Sequence, residues 1–398
     1  MSDPLQISLP GDDRFSRFRL IGWWDQRKLS NAKVLVVGAG ALGNEIIKNL
    51  CLLGIGNLFI ADKDTIENSN LSRSVLYRAE DAGKSKSLIA ARAAKEIYPD
   101  VNVHHFHGDV VHDLGLGVYR WADVVIGGLD NREARLSINR SCWKVNRPWI
   151  DGAIEQIQGV ARVFVPDGPC YECTMSEQDW KLLQLRRSCN LLTRAEMEGG
   201  KTPTTPTISS IIAGVQCQEA LKLLHGMETI AGKGWVFQGI SADSYTTEYQ
   251  RKPDCYSHDT LGEIIALDES AQSITPRQLL HRAESLVGEK VSLELARDVL
   301  EKLSCPKCKR EEEVYQSLGK VSADRAICPH CPDTRRDVSL FHKIRGEETF
   351  LNRPLASIGV PAMDIVIART KTRSVGFELS GDANAVLGPL ADSGLEFE

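Results

Sequence analysis

Cysteine spacing gives the first indication of chemistry in this chain of 398 residues. Six of its eleven cysteines form three C-x-x-C pairs, a spacing that is typical of zinc ligands. The first pair is Cys170 and Cys173, which supplies half of a tetrahedral site. The other two pairs together read C-x2-C-x19-C-x2-C, the spacing of a zinc ribbon: Cys305, Cys308, Cys328 and Cys331. We expect this second set to hold a zinc ion that stabilises a small domain.

A glycine-rich segment indicates a second site, for a nucleotide. Gly38, Gly40 and Gly43 form a G-x-G-x-x-G sequence between a β-branched run and a segment with helical spacing. Such a turn lets the backbone approach a phosphate at the N-terminus of a helix. Asp62 follows Gly43 by 19 residues, at the end of the next predicted strand, where a carboxylate can bind ribose hydroxyls. These features leave NAD and ATP open.

Charged residues farther along the chain favour ATP. Arg73 and Lys86 follow the second predicted strand, and Asp130 with Asn131 follows a later apolar run. A dinucleotide dehydrogenase does not need two cations and a further acid around its phosphates. A triphosphate does, because cations offset the charge of the departing pyrophosphate and an aspartate can hold Mg²⁺. We therefore expect ATP and magnesium at this site.

The elements that would position these residues alternate between strand and helix from residue 33 to residue 151. This alternation predicts an α/β fold with a mostly parallel sheet and helices on both faces. The predicted strands are 34–37, 57–61, 101–106 and 122–126, and the predicted helices are 44–53, 86–98, 132–145 and 208–224. A crossing loop, Pro-Thr-Thr-Pro at 203–206, precedes the last of these helices.

The sequence changes character after about residue 258. We predict a helix over 276–287, a charged helix over 292–303, a compact cysteine-rich segment over 305–331, and then short strands and turns. The predicted domains are therefore 1–258, a helical connector at 259–304, a zinc ribbon at 305–333, and a small β-rich α+β tail at 334–398.

Composition bounds the remaining function classes. Apolar residues make up 42% and charged residues 25% of the chain, as in soluble globular proteins. The net charge of −5 argues against a general nucleic-acid binder, which usually carries a basic surplus. No apolar run approaches the ~18–20 residues of a membrane span, and the start of the chain does not read as a signal peptide. We therefore expect a cytoplasmic protein that binds neither nucleic acid nor membranes.

Six motifs occur together in the order seen in the ThiF/MoeB/HesA superfamily: G-A-G-A-L-G, I-A-D-K-D, S-N-L-S-R, G-K-S-K, L-D-N and P-C-Y-E-C. The superfamily includes the adenylation domains of ubiquitin-activating enzymes, and the resemblance covers about residues 14–258. It implies a Rossmann-like adenylation domain that uses Mg·ATP to adenylate the C-terminal glycine of a ubiquitin-like protein, often as a homodimer. An activating enzyme of a bacterial ubiquitin-like conjugation system fits this pattern. Ala41 and Ser74 stand where the family often has glycine and glutamine.

The resemblance implies a role for each residue of the nucleotide site. The implied contacts are Gly40 and Ala41 for phosphate, Asp62 for ribose, Asn70, Arg73 and Lys86 for the triphosphate, and Asp130 for magnesium. Arg14-Phe-Ser-Arg17 resembles a segment from which an arginine reaches the nucleotide of the partner subunit, and Arg17 is our candidate. Cys255 and His258 occupy the place of the cysteine pair that completes the first zinc site in the family.

Two further features follow from the resemblance. The segment 349–369 resembles the closing part of ubiquitin-fold domains, which in ubiquitin-activating enzymes recruit the conjugating enzyme. Cys189 lies in the interval where resembling proteins carry the cysteine that accepts the activated acyl group, and the nearby Arg186 and Arg187 favour the reactive thiolate. The other unpaired cysteines, Cys51, Cys142 and Cys217, lie in predicted helices, where we expect buried, protonated thiols.

Three alternatives stay open at this point. An activator of a sulfur-carrier protein for molybdopterin or thiamin synthesis would use the same adenylation and can dispense with a thioester. A catalytically idle scaffold subunit of a heterodimer would not need Arg73, Lys86 and Asp130. An NAD-dependent oxidoreductase fits only the glycine loop.

Overall fold

The structure is a computed structural model that describes residues 13–180 and 203–391. It forms the strands β1 (Lys33–Val37), β2 (Asn57–Asp62), β3 (Asn102–His107), β4 (Val124–Gly128), β5 (Trp149–Glu155), β6 (Gln158–Phe164), β7 (Lys233–Gln238), β8 (Asp243–Glu248), β9 (Glu263–Leu267), β10 (Ser292–Ser304), β11 (Glu311–Ser317), β12 (Asp337–Ile344), β13 (Ile365–Arg369) and β14 (Ser374–Leu379). It forms the helices α1 (Gln26–Asn31), α2 (Ala41–Leu53), α3 (Lys86–Ile97), α4 (Leu116–Trp121), α5 (Arg132–Lys144), α6 (Pro206–His225), α7 (Pro276–Val287) and α8 (Ala383–Leu387).

An eight-stranded sheet holds the first half of these elements, in the order β3-β2-β1-β4-β5-β6-β7-β8. The strands from β3 to β5 run parallel, and β6, β7 and β8 extend the sheet antiparallel. The predicted α/β class with a large, mostly parallel sheet is confirmed. Because the chain moves from β1 to β2 on one side and later adds β4 on the other, β1 lies at the point where ligands bind in such sheets.

Burial on both faces explains why the central strands are uninterrupted apolar runs rather than alternating ones. All six residues of β2 are buried. On one face α2, α3 and α6 pack against the sheet around Ile46, Ala90 and Ile212. On the other face α4 and α5 pack around Tyr119 and Leu136. The sheet is therefore a fixed platform for the loops at the carboxyl ends of its parallel strands.

A second sheet of six strands has the order β11-β10-β13-β14-β9, with β12 also paired to β10. The predicted helix over 276–287 is confirmed as α7. The predicted helix over 292–303 is wrong, because this segment is the long strand β10. Its charged residues pair across strands, as Lys302 does with Glu311. Its leucines and charges fit either period locally, and pairing with strands distant in the sequence decides between the two.

The two sheets share one hydrophobic core at α4. Leu116 belongs to the same buried cluster as Met363 and Ile365 of the second sheet region. The carboxylate of Asp364 accepts a hydrogen bond of 2.9 Å from the N–H of Leu116, and Gly117 donates its N–H to the carbonyl of Met363 at 2.9 Å. A Cβ on Gly117 would lie 2.5 Å from that carbonyl oxygen, so only glycine fits here.

The segment 349–369, which resembles the end of a ubiquitin-fold domain, takes part in this internal junction. Its residues from Met363 to Ala368 are buried. The division of the chain into four domains stays a prediction. None of the helices in the described ranges has the length and apolar character needed to cross a bilayer.

Candidate active site

The glycine loop forms a tight turn between β1 and α2. Gly38 has a φ of +93°, and a Cβ there would lie 2.5 Å from the carbonyl oxygen of Gly128. A Cβ on Gly43 would lie 1.9 Å from the carbonyl oxygen of Gly38, so both positions require glycine. A Cβ on Gly40 would meet no atom within 4 Å, because this residue faces open space at the N-terminus of α2. The loop therefore offers backbone N–H groups and the positive end of a helix dipole to an anion.

Asp62 lies at the carboxyl end of β2, directly beside the glycine loop. Its Oδ2 accepts the N–H of Ala39 at 2.6 Å, and its Oδ1 accepts the N–H of Asp64 at 2.7 Å. Burial raises the pKa of Asp62, against the opposing effects of Lys86 and these two N–H groups. Each oxygen keeps a second acceptor site, so the carboxylate can still receive hydrogen bonds from the hydroxyls of a ribose.

Lys86 is the first residue of α3 and points its ammonium towards the same edge of the sheet. Its Nζ lies 2.9 Å from Oδ2 of Asp64. Its side chain is only 12% exposed, whereas that of Asp64 is 52% exposed. The hydroxyl of Tyr77 donates a 2.5 Å hydrogen bond to the carbonyl of Ala39 and lies 3.3 Å from that of Lys86. These contacts tie the start of α3 to the glycine loop.

Asn70 and Arg73 lie in the turn that follows β2. The Oδ1 of Asn70 accepts the N–H of Glu67 at 3.0 Å, and Arg73 donates to the carbonyl of Ser69 at 2.8 Å. Both side chains therefore brace the turn itself. Arg73 is partly buried, and donors of its guanidinium other than the one bound to Ser69 can serve a phosphate.

The turn is fixed to the glycine loop by Asn44, a residue that the sequence analysis did not single out. Its Oδ1 accepts the N–H of Leu76 at 2.9 Å, while its Nδ2 donates to the carbonyls of Ala39 and Gly40 at 2.8 and 3.0 Å. Asn44 is fully buried in α2. No local signal distinguishes it from Glu45, Lys48 and Asn49, the other polar residues of α2.

Asp130 and Asn131 follow β4 and have different roles in the structure. The Oδ1 of Asn131 accepts the N–H of Ala134 at 2.7 Å, so Asn131 caps α5. Asp130 is exposed, and the Nδ2 of Asn131 lies 3.4 Å from its Oδ1. Because β4 is next to β1, Asp130 comes to the same edge of the sheet as the glycine loop. An exposed carboxylate at this edge fits a Mg²⁺ ion that also binds phosphate oxygens.

Arg17 lies away from the glycine loop of its own chain. Its neighbour Phe15 packs against Gly54 at the C-terminus of α2, and Arg14 donates to the carbonyl of Ile97 at the end of α3. The 13 residues of α2 put about 20 Å between these contacts and the glycine loop. Arg17 itself is exposed. It does not join the site formed by Asp62, Lys86 and its neighbours in the same chain.

The first cysteine cluster brings together Cys170, Cys173, Cys255 and His258, whose ligand atoms all lie within 4.8 Å of one another. The sulfur of Cys170 is 3.7 Å from that of Cys173 and 3.5 Å from that of Cys255, and the sulfur of Cys173 is 3.4 Å from Nε2 of His258. Ligand atoms of tetrahedral zinc are about 3.5–3.8 Å apart, since Zn–S bonds are about 2.3 Å and Zn–N bonds about 2.0 Å. The four side chains therefore fit one zinc ion.

The second cluster brings together Cys305, Cys308, Cys328 and Cys331. The sulfurs of Cys308 and Cys328 are 3.9 Å apart, and the N–H of Cys308 donates to the sulfur of Cys305 at 3.4 Å. Each pair sits in a tight turn, with Lys309 and Asp333 at positive φ. Four sulfurs at this spacing also fit one zinc ion. In the sequence this cluster lies far from the residues of the nucleotide site.

The remaining thiols divide into two groups. Cys51, Cys142 and Cys217 are buried, as predicted. Burial raises the pKa of Cys51 and of Cys217 to about 12, and raises that of Cys142 as well, so these thiols are protonated at neutral pH. Cys189, the predicted acyl acceptor, lies outside the described residues.

Comparison with known proteins matches the part of the chain that forms the eight-stranded sheet. The model of the "ThiF family" matches residues 13–257. The "SAMP-activating enzyme E1" of Haloferax volcanii is 32% identical over 257 residues, which are 61% of this chain and 87% of that protein. The "Sulfur carrier protein adenylyltransferase" of Thermus thermophilus is 29% identical, over 61% of this chain and 89% of that protein. Two maize relatives are longer, and the chain spans about half (52% and 51%) of their length.

The solved structures agree with this at the level of the fold. The crystal structure of E. coli MccB with ATP has a TM-score of 0.52 and 23% identity to this chain. The superposition covers 62% of this chain and 74% of MccB. The likeness shows the fold of the part of the chain that it covers.

Proposed function

Since the chain belongs to the ThiF family, we propose that it is an adenylyltransferase that activates the C-terminal carboxylate of a ubiquitin-like protein with Mg·ATP. The observation that carries the proposal is the arrangement at one sheet edge. The open glycine loop, the ribose acid Asp62, the cation Lys86 and the exposed acid Asp130 come from four different elements and meet there. Its relatives are named adenylyltransferases and activating enzymes.

The chemistry is a substitution at the α-phosphorus of ATP. An oxygen of the carboxylate forms a bond to this phosphorus, the bond to the bridging oxygen breaks, and pyrophosphate leaves. Negative charge grows on the departing phosphates, where Lys86 and Arg73 offset it. The N–H groups at Gly40 and Ala41 hold phosphate oxygens. Asp130 would hold the Mg²⁺, which supplies further positive charge to the phosphates.

A thioester step follows in this proposal. The thiolate of Cys189 attacks the acyl carbon of the adenylate, and AMP leaves. The choice of Cys189 is supported by the state of the described thiols outside the two clusters. Cys51, Cys142 and Cys217 are buried and protonated, so they are poor nucleophiles. The residues that flank 181–202 are anchored near the site: Asp179 pairs with Arg132 of α5, and the carbonyl of Pro203 accepts the N–H of Gln156.

The partners divide into two candidates. A ubiquitin-like modifier is favoured because a relative at 32% identity is named a SAMP-activating enzyme. A sulfur-carrier protein is the second candidate, because a relative of nearly equal similarity is named an adenylyltransferase of such a protein.

A homodimer in which Arg17 reaches the partner's nucleotide is part of the proposal, and its support is the position of this exposed arginine away from its own glycine loop. A conjugating enzyme is a further proposed partner.

The decisive experiment is ATP–pyrophosphate exchange with each class of partner. The purified chain is mixed with radiolabelled pyrophosphate, Mg·ATP and either a ubiquitin-like modifier or a sulfur-carrier protein from the same genome. Exchange that needs the intact C-terminal glycine of one partner supports adenylation and identifies the partner class. No exchange with any such partner, together with tight NAD binding, would contradict the proposal.

A further inference from the structure

A buried carboxylate lies beneath the Asp130 turn and binds two arginines. Asp151 on β5 is fully buried. Its Oδ1 accepts the Nε–H of Arg135 at 3.0 Å, and its Oδ2 accepts from Nη1 of Arg162 at 2.8 Å. Both arginine side chains are themselves at least four-fifths buried. A buried ion cluster of this kind costs desolvation free energy and is weak evidence for stability alone, which points to a role in geometry.

Arg135 also donates to the backbone at two neighbouring strands. Its Nη2 donates to the carbonyl of Leu129, which directly precedes Asp130, and to the carbonyl of Gly152 at 3.1 Å. One guanidinium therefore joins α5, the end of β4 and the middle of β5. Arg162 also binds Asp151 but makes no contact with the Leu129 carbonyl among its described hydrogen bonds.

We propose that Arg135 is a positioning residue for Asp130, and that Asp151 holds Arg135 in place. The proposal rests on the proposed function, in which Asp130 holds the magnesium of Mg·ATP. Asp130 is exposed, and within residues 13–180 and 203–391 its side chain has one hydrogen-bond contact, at 3.4 Å, so the side chain itself does little to fix its position. The carbonyl one residue earlier, that of Leu129, is held by the buried guanidinium of Arg135, whose Nε and Nη2 groups bind a carboxylate and two carbonyls.

The geometry requires arginine rather than any cation. A guanidinium is planar and presents donors in fixed directions, so it can serve the carboxylate and both carbonyls at once. A lysine ammonium at the same place would keep the charge near Asp151 but could not reproduce the three directed bonds. The substitution Arg135→Lys therefore separates the charge of this residue from its geometry.

A matched control exists at the opposite edge of the sheet. Arg147 is a partly buried arginine that donates from Nε and Nη2 to a single backbone carbonyl, that of Arg120, at 3.1 and 2.8 Å. It lies in the loop after α5, at the amino ends of the parallel strands. Arg147→Lys removes the same kind of backbone support without touching the Asp130 turn.

The test measures ATP affinity by calorimetry, with excess Mg²⁺ and with EDTA, in the full-length chain without a partner protein. The ratio of the two affinities reports the magnesium contribution. Arg135→Lys should reduce this ratio roughly tenfold, towards the ratio of Asp130→Asn, while ATP affinity in EDTA stays within about twofold of wild type. Arg147→Lys should keep the wild-type ratio. In the Asp130→Asn background, Arg135→Lys should have no further effect on the ratio.

The outcomes distinguish the positioning role of Arg135 from the proposed adenylation activity. A wild-type ratio in Arg135→Lys, or an equal loss of affinity with Mg²⁺ and with EDTA, overturns the positioning role while leaving adenylation intact. A wild-type chain whose ATP affinity does not depend on Mg²⁺ overturns the proposed function as well. If Arg135→Lys does not fold, Asp151→Ala gives the same comparison, because it removes the carboxylate that holds Arg135 while Arg135 itself stays in place, and an unchanged ratio there also refutes the proposal.

Discussion

The ammonium of Lys86 lies 2.9 Å from the carboxylate of Asp64, and both groups face the edge of the sheet where the glycine loop opens. The ammonium of Lys86 is thus paired with a carboxylate of its own chain at the position where a bound phosphate would compete for it. An ion pair with one half-exposed partner contributes about 0–1 kcal/mol to stability, so its purpose is better sought in phosphate binding than in the fold.

Replacing Lys86 tests that purpose. Lys86→Ala should lower ATP–pyrophosphate exchange at least ~100-fold, because the charge of the leaving pyrophosphate is no longer offset, and Asp130→Ala should do the same. The melting temperature should stay within a few degrees of wild type. Lys84→Ala is the matched control. Lys84 lies two residues before Lys86 and pairs with Asp81 at 3.1 Å, so this variant should keep full exchange. Exchange that survives both Lys86→Ala and Asp130→Ala would sink the assignment.

The cysteine clusters predict a metal content. Elemental analysis of the purified chain should find two zinc ions, and Cys170→Ser and Cys308→Ser should each lose one of them. Because structural zinc contributes folding free energy directly, strong chelation should lower the melting temperature. Cys142→Ala changes a buried thiol outside the clusters and should retain both ions. One zinc or none in the wild-type chain would contradict the predicted count.

The position of Arg17 predicts complementation between chains. Arg17→Ala and Lys86→Ala should each be inactive alone if Arg17 acts across a homodimer. Mixed dimers of the two variants should recover activity, because one of their two sites combines an intact Lys86 with an intact Arg17 from the partner. The measurement is pyrophosphate exchange after mixing and reassembly. An active monomer in light scattering, or mixtures that stay inactive although mixed dimers form, would rule the trans role out.

The nucleophile is tested by trapping. With ATP and its protein partner, the wild type should form an adduct that thiols cleave, seen on a non-reducing gel. Cys189→Ala should lose this adduct and keep pyrophosphate exchange, whereas Cys217→Ala should keep both. An adduct that persists in Cys189→Ala places the nucleophile elsewhere. If wild type forms none, the sulfur-carrier alternative gains.

The junction between the sheets predicts a stability effect of opposite sign at two helical glycines. Gly117→Ala should destabilise the chain by about 1–3 kcal/mol, because its Cβ would meet the Met363 carbonyl at 2.5 Å. Gly214→Ala in α6 meets no atom within 4 Å and should stabilise the helix by about 0.5–1 kcal/mol. Denaturant unfolding measures both changes. A neutral Gly117→Ala would show that the junction is looser than the structure indicates.

Local patterns in the sequence were sufficient for the glycine loop, the parallel strands around it, the Cys170/Cys173 pair and the second cysteine cluster, whereas Cys255 and His258 of the first cluster were expected only from the family resemblance. They were insufficient where the partner is distant in the chain. Asn44 reads as a polar interruption of a helix, and its role appears only when Leu76, 32 residues later, binds it. Asp151 reads as one residue of a strand until two arginines converge on it. The strand β10 was assigned to a helix for the same reason, since its charges are matched by residues on other strands.

The hydrogen bond from Leu116 to Asp364 also limits how such a chain can be recombined. A crossover placed between the two sheets would pair one parent's α4 with another parent's second sheet. The Leu116 amide would then lose its buried acceptor, and Gly115 and Gly117 would be shaped for carbonyls that are no longer in place. Viable chimeras would therefore have to inherit α4 together with the second sheet. The segment that must be exchanged together with the second sheet thus includes α4, which lies more than two hundred residues before Asp364 in the sequence.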